Sequence, residues 1–263
     1  MTSEAIQRRE ATERARERHS ANFYDSFWPR NVPVLQKALQ HTLNFVPDRM
    51  FRSALDAGCG SGVSAIALLE RSARVTAIDN SRESLRTSKK LADGLGARIE
   101  FEQGSLMDLP FCDKSFDLVY CYGVLSFTPD PHRCLRELAR VLAHDGVLVL
   151  AVYQTTWMSP FHDVFQVMLH RCPKAIQEVV IKIVSWAIAA LAWISGRKSK
   201  DYGLPVEAKV RDFYLTPVKK YFDSHELMKL LAASGICPEI RDAGTGRFKS
   251  ASNIVVVGTK RTK

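Results

Sequence analysis

The sequence predicts an α/β fold built on a mostly parallel sheet, and three observations carry that reading. From Arg52 to Tyr153, short apolar runs alternate four times with amphipathic segments, the order that places parallel strands under helices on both faces. The first apolar run leads into a glycine-rich turn, "LDAGCGSG", from Leu55 to Gly62. The composition, 46% apolar and 25% charged over 263 residues, suffices for the core of one large domain.

The elements follow in order. Residues 4–18, "EAIQRREATERARER", alternate Glu and Arg at helical spacing and read as an exposed helix on i,i+4 pairs. An aromatic stretch with Phe23, Tyr24 and Trp28 is broken by Pro29 and Pro33 before a second helix. "FRSALDA" reads as a strand. "GVSAIALLERS" reads as a helix with Val63, Ile66, Ala67 and Leu69 on its apolar face. "RVTAIDN" is a buried strand, and the next helix opens at a Ser81 cap with Glu83 in its first turn and closes at Gly94 or Gly96. "ARIEFEQGS" and "SFDLVYCYGVL" are strands. "DPHRCLRELARVLAHDG" is a helix, with Pro131 near its start and Gly146 after its end, before the strand "VLVLAVY". The alternation then stops for residues 154–220. A helix with a Ser224 cap and two strands, "PEIRDAG" and "SNIVVVGTK", complete the chain, the last strand antiparallel. The expected division is a single domain over 1–263: a helical cap (1–48), a core (49–153), a helical insertion (154–222) and a closing helix with two strands (223–263).

The glycine turn does not suit a phosphate. A dinucleotide loop needs a third glycine where Val63 stands, and a phosphate loop needs Gly-Lys-Ser/Thr where Gly62-Val63-Ser64 stands. Asp56, just ahead of the glycines, repels a pyrophosphate and favours a cation. S-adenosylmethionine carries a sulfonium and an ammonium and no phosphate, and glycines let the backbone approach its methionine part closely. Asp79 ends the next strand, about twenty residues after the loop, where an acidic side chain grips ribose hydroxyls.

On these residues the run from Leu55 to Tyr153 resembles a class I S-adenosylmethionine-dependent methyltransferase of the broad small-molecule (UbiE-like, methyltransferase type 11) group. "LDAGCGSG" is similar to the family's first motif and "VTAIDNS" to its ribose-binding motif. "GSLMDLPFCDKSFDLVYCYGVL" is similar to the stretch that holds adenine and forms the fourth strand, and "CLRELARVLAHDGVLVLAVY" to the next helix and strand. The resemblance implies a Rossmann-like sheet with an N-terminal helical cap and a helical insertion after the fifth strand. It implies that Asp56, Gly58 and Gly60 line the methionine part and that Asp79 takes the ribose. It further implies that Asn80 flanks the adenine, that Ser105 and Leu106 meet its edge, and that Cys121 lies beside the sulfonium end through its backbone. The sequence departs from the family in having Ser105 for an Asp, Ser126 or Phe127 for a His, and His144-Asp145-Gly146 for Pro-Gly-Gly.

The acceptor side is read more coarsely. His162, inside the insertion, and His132, at a helix start, are the candidates for proton transfer near neutral pH. Tyr24, Trp28, Tyr153, Trp186, Tyr214 and Tyr221 are the aromatic candidates for an acceptor site. No cysteine pair or His/Cys cluster has metal-ligand spacing, so no metal is expected, and the six cysteines read as reduced thiols. From Val179 to Ile194 the chain is apolar on nearly all sides. The stripe Val180, Ile183, Val184, Ala187, Leu191 and Ile194 is the expected packing face, and the run is too short, with Lys182 inside it, to be read as a membrane span. The helix is expected to roof the acceptor, with Arg197, Lys198 and Lys200 near any anionic surface it meets.

The net charge of +9 suits nucleic acid, an anionic membrane or acidic substrates, but the basic residues do not form long blocks, and a solvated basic surface is the reading taken. The expected activity is methyl transfer from S-adenosylmethionine to an oxygen, nitrogen or carbon of a small, fairly apolar acceptor. A cofactor-binding fold member without transfer (a cyclase or regulator) and a nucleic-acid methyltransferase stay open as alternatives, the latter disfavoured. A membrane surface and a homodimer stay open as partners. Nothing marks export, so the expected location is cytoplasmic or membrane-peripheral.

Overall fold

The computed structural model describes residues 32–194, 205–215, 220–243 and 253–261. Helix α1 (Val32–Leu43) comes first, followed by β1 (Ala54–Ala57), α2 (Val63–Leu68), β2 (Val75–Asp79), α3 (Arg82–Gly94), β3 (Glu100–Gln103) and β4 (Phe116–Tyr122). Next come α4 (Pro131–Val141), β5 (Leu142–Tyr153), α5 (Ser159–Arg171), α6 (Lys174–Ile194) and α7 (Val206–Leu215), then α8 (Ser224–Ala233), β6 (Ile236–Ala243) and β7 (Asn253–Lys260). The strands form one sheet in the order β3-β2-β1-β4-β5-β7-β6. β1 to β5 run parallel, and β7 is antiparallel to both β5 and β6. The strand order reverses between β1 and β4. Helices there leave toward opposite faces and open a crevice at the carboxyl ends of the strands.

Alternation along the strands sorts the core into two layers. Leu55, Ala57, Val119 and Cys121 face a cluster that also takes Leu135 and Leu138 of α4 and Leu227 and Leu231 of α8. Ala54, Leu118 and Tyr120 face the other cluster, with Ala65 and Leu68 of α2 and Leu85 of α3. α1 joins this side through Leu35 and Ala38 against Val63. β3 is short and mostly exposed, as its edge position allows.

Several local expectations change. α4 stops at Val141 rather than running on toward Gly146. Leu142 is wholly buried and pairs with Phe116, so the chain enters the sheet at once. His144-Asp145-Gly146 then forms an irregular turn inside β5, with Asp145 at a left-handed φ of 58°, and regular pairing resumes at Val147. The N-cap of α8 is Asp223, whose carboxylate accepts from the backbone N–H groups of His225 and Glu226, and Ser224 is already helical. Ser81 does cap α3, accepting from Ser84 N at 3.1 Å.

The insertion packs on itself. α5, α6 and α7 share a cluster built on Leu169, Ile181, Val210, Phe213 and Tyr214. α6 starts at Lys174 and is 21 residues long, longer than its apolar stretch suggested. Its buried line is Ile181 and Ser185, with Val180 and Val184 at the margin. Ile183 and Ile194 of the expected packing stripe are 60% and 73% exposed. Beside that line, Arg211 of α7 donates from both guanidinium arms to Glu178 at 2.6 Å each and to Glu207 at 2.9 Å. The expected helix at 4–18, Phe23, Tyr24 and Trp28, and the basic Arg197, Lys198 and Lys200 lie outside the described residues.

Candidate active site

The glycine turn sits at the carboxyl edge of β1, between β2 and β4. Gly58, Gly60 and Gly62 have φ of 83°, 51° and 82°, a left-handed conformation that costs other residues roughly 1–2 kcal/mol each. β2 holds the turn from beneath, since Gly58 N and Cys59 N both donate to Ile78 O at 2.8 and 3.0 Å. A Cβ on Gly58 would stand 2.6 Å from Val124, and one on Gly62 would stand 2.9 Å from Ser88. A Cβ on Gly60 would meet no protein atom within 4 Å, so this glycine borders open space.

Two carboxylates flank the turn. Asp79, the last residue of β2, accepts from Gly60 N through Oδ2 and from Ser81 N through Oδ1, both at 2.9 Å. Ser88 Oγ donates to Gly60 O at 2.7 Å, so the turn is tied to α3 as well. Asp56 is 2% exposed and accepts from Ser64 Oγ at 2.6 Å. Burial pushes its carboxyl up to about 7, and the nearby charge of Asp79 adds to the rise against the opposing Ser64 bond. Register brings the two carboxylates to the same edge, since Asp56 pairs with Ala77, two residues before Asp79, and with Tyr120 on its other side.

The other expected cofactor residues differ in what they expose. Asn80 is exposed, and its carbonyl accepts from Gln103 Nε2. Ser105 uses its hydroxyl locally, accepting from Met107 N at 3.2 Å, and Leu106 is buried in the core cluster, which leaves backbone and edge contacts there. The segment after Ser105 is held from α4: Glu137 accepts from Leu109 N at 2.8 Å, and Arg140 donates to Phe111 O at 2.7 Å and Leu109 O at 2.9 Å. Cys121 is wholly buried, and burial pushes its thiol far up, so it offers no thiolate. Among the described residues no group of three His, Cys, Asp or Glu side chains is placed to hold a metal ion.

The acceptor-side candidates divide. Tyr153, Tyr214 and Tyr221 meet in the aromatic cluster of the insertion, next to the carboxyl end of β5. Tyr153 stacks edge-on against Phe127 at 5.4 Å and Phe213 at 5.6 Å, which links that end of the sheet to α7. His162 is buried at 8% exposure, its Nδ1 is 2.7 Å from Tyr214 Oη, and its ring meets Phe213 edge-on at 5.1 Å. Burial raises the phenols of Tyr214 and Tyr221, the latter also facing the charge of Asp163. His132, by contrast, is exposed in the first turn of α4, and Trp186 is 74% exposed on the outer side of α6, so neither is brought to this cluster. Of Ser126 and Phe127, which stand where the resemblance leads one to expect a histidine, Ser126 is wholly buried and accepts from Tyr153 N at 2.9 Å.

Sequence reasoning missed His41. It lies on α1, and its Nε2 is 3.0 Å from the hydroxyl of Tyr122, the last residue of β4, with the rings edge-on at 5.6 Å. The residues are 81 positions apart, so no local pattern announces the pair.

Known proteins share this fold. A family model described as a methyltransferase domain matches residues 55–150. A methyltransferase of Streptomyces halstedii, GfsG, is 30% identical over 151 residues, 54% of this chain and 54% of its own. The ubiquinone biosynthesis O-methyltransferase of Haemophilus ducreyi is 34% identical over 110 residues, 40% of this chain and 47% of its own. The chain thus spans about half the length of these curated relatives. Among solved structures, YcgJ of Bacillus subtilis superposes with a TM-score of 0.59 at 17% identity, covering 86% of this chain and 99% of that one. The 1,6-didemethyltoxoflavin-N1-methyltransferase of Burkholderia thailandensis, solved with its substrate and S-adenosylhomocysteine, gives 0.59 at 18% identity, covering 97% and 90%. The sheet order and the glycine turn thus give the chain the fold of these solved structures, and residues 55–150 match a methyltransferase domain.

Proposed function

We propose that this chain transfers the methyl group of S-adenosylmethionine to a small, fairly apolar acceptor by in-line displacement. The observation that carries the reading is the turn at Gly60, which borders open space while Asp79 holds its N–H. The residues fit the group. Glycine backbone and the Asp56 carboxylate suit an amino-acid ammonium, Asp79 retains acceptor capacity for ribose hydroxyls, and no basic side chain of a phosphate loop stands in the turn.

When bound, S-adenosylmethionine supplies a methyl group already activated by its sulfonium. The chain has to hold it, orient the acceptor and keep water out, and well-oriented reactants gain effective molarities of ~10⁵–10⁸ M. The aromatic cluster of Tyr153, Phe213, Tyr214 and Tyr221 supports an apolar acceptor. His162, hydrogen-bonded to Tyr214, is the proton carrier we assign if the acceptor keeps its proton.

Calorimetric titration with S-adenosylhomocysteine and NAD, followed by measurement of S-adenosylhomocysteine release with a panel of phenols, quinols and amines, tests the reading. Micromolar binding of the first ligand, none of the second, and release that depends on an acceptor are expected. Tight NAD binding would refute the cofactor assignment, and cofactor binding without release across chemically varied acceptors would favour a non-transferring member.

A further inference from the structure

Large apolar side chains collect on the outside of the insertion. On α5 and the turn before it, Trp157, Phe161, Val164 and Met168 follow one helical face and are 61–63% exposed. On α6, Ile176, Val179, Ile183, Trp186 and Trp193 form the face opposite the Ile181–Ser185 line and are 47–85% exposed. Both faces point away from α7, on which the inner faces of the two helices pack. Single exposed apolar residues need no explanation, but two consecutive helices that each carry an apolar outer face do.

Cations predominate around these faces. Arg171, Lys174 and Lys182 are exposed beside them. In the sequence, Arg197, Lys198 and Lys200 follow α6 directly, in a chain of net charge +9. The acids of α6 and α7 nearest to them, Glu178 and Glu207, are both engaged by Arg211. Asp163 lies off the apolar face of α5, toward Tyr221.

We infer that the outer faces of α5 and α6 dock this protein on the surface of an anionic phospholipid bilayer. Apolar side chains enter the acyl boundary and the flanking cations meet headgroup phosphates. Interfacial helices bury such faces ~5–10 Å deep, with Trp at the boundary and Lys or Arg beside it. The helix lies on the bilayer rather than across it. Its 21 residues, at about 1.5 Å each, would match a hydrocarbon core of ~30 Å, and by length and composition alone it is a candidate span. Yet one side of it is taken by α7, where Ile181 is wholly buried and Arg211 forks onto Glu178. Crossing would carry that ion pair into hydrocarbon or tear it apart. The inference stands on this surface and is independent of the methyl-transfer reading, although a bilayer is also where an apolar acceptor dissolves.

The test is flotation of the full chain with phosphatidylcholine vesicles, with and without phosphatidylglycerol. The expected result is binding to the anionic vesicles that falls roughly tenfold or more on neutral vesicles or at high salt. It should fall similarly in Ile183→Ser/Trp193→Ser and in Arg171→Gln/Lys174→Gln/Lys182→Gln. Brominated acyl chains should quench tryptophan fluorescence of the unaltered protein, which decides the matter even if a variant fails to fold. S-adenosylhomocysteine affinity, measured on the same samples, should not change with the variants, so loss of docking is separable from loss of the cofactor reading. Absence of flotation and quenching would overturn the proposal. So would resistance to alkaline carbonate, which marks a spanning helix, or a dimer that Ile183→Ser/Trp193→Ser dissolves while vesicles have no effect.

Discussion

Asp79 is oriented by its own fold before any ligand arrives, because Gly60 N and Ser81 N each donate to one of its oxygens. Asp79→Ala therefore removes the proposed ribose acceptor and loosens the turn together. Bonds to a charged acceptor are worth roughly 1.5–3 kcal/mol each, so S-adenosylhomocysteine binding should weaken by about one to three decades in calorimetry. An unchanged dissociation constant would release Asp79 from the ribose. Asp56 adds a pH dependence. Its carboxyl is raised from 3.8 to about 7 by burial, so below pH 7 the folded protein keeps it neutral. The folded state then binds more protons than the unfolded chain between about pH 4 and 7, and this group's contribution to stability declines as pH rises through that window. Ligand binding runs the other way, since the ionised form meets the ammonium. S-adenosylhomocysteine affinity should rise up to about tenfold between pH 6 and 8, and Asp56→Asn should flatten that rise. An affinity that is level across this range in the unaltered protein would show that Asp56 does not face the ligand.

At the scale of the element, the glycine turn separates packing from binding. Gly58→Ala places a methyl 2.6 Å from Val124 at a φ of 83°, so it should lower the melting temperature by several degrees, and Val124→Ala should recover part of the loss. Gly60→Ala meets no protein atom, so most of its effect should appear as weakened cofactor binding with a smaller thermal shift. Equal melting temperatures and affinities for the two variants would contradict this division. The α5–α7 contact yields a parallel case. His162→Ala should destabilise the insertion, because it opens space beside Phe213 and strips Tyr214 of its 2.7 Å partner. If His162 also carries a proton, turnover should fall ~10²–10⁴-fold and the pH–rate profile should lose a limb, an effect that Tyr214→Phe alone would not reproduce in full.

For the whole molecule, the sheet order and the ligand reading meet in one measurement. A ligand that binds only the folded state at about 100 times its dissociation constant adds ~2.7 kcal/mol, or roughly 6–10 °C in a chain of this size. S-adenosylhomocysteine should produce such a shift and NAD none. Flotation on anionic vesicles should leave the shift intact, because the crevice lies at the carboxyl edge of the sheet and the proposed docking faces lie on the far side of α5 and α6 from α7.

The sequence by itself determined the parts whose physics is local. The period of apolar residues from Arg52 to Tyr153 specifies strands and helices, and "LDAGCGSG" with Asp79 marks the turn and its carboxylate, because φ requirements and side-chain period are read within a few residues. Only the tertiary structure decided what depends on distant partners. α6 is apolar nearly all round, so its pattern carries no phase. Packing on α7, whose Arg211 meets Glu178 from 33 residues away, buries Ile181 and leaves Trp186 outside. His41 met Tyr122 across 81 residues and His162 met Tyr214 across 52, and neither pairing leaves a trace in local spacing. Even the choice of Asp223 over Ser224 as cap followed from where the chain leaves Phe222, whose N–H and carbonyl are paired to Tyr153 and Thr155 at the end of β5. Burial, phase and long-range hydrogen bonds belong to the folded chain because they are properties of pairs, and the sequence lists residues one at a time.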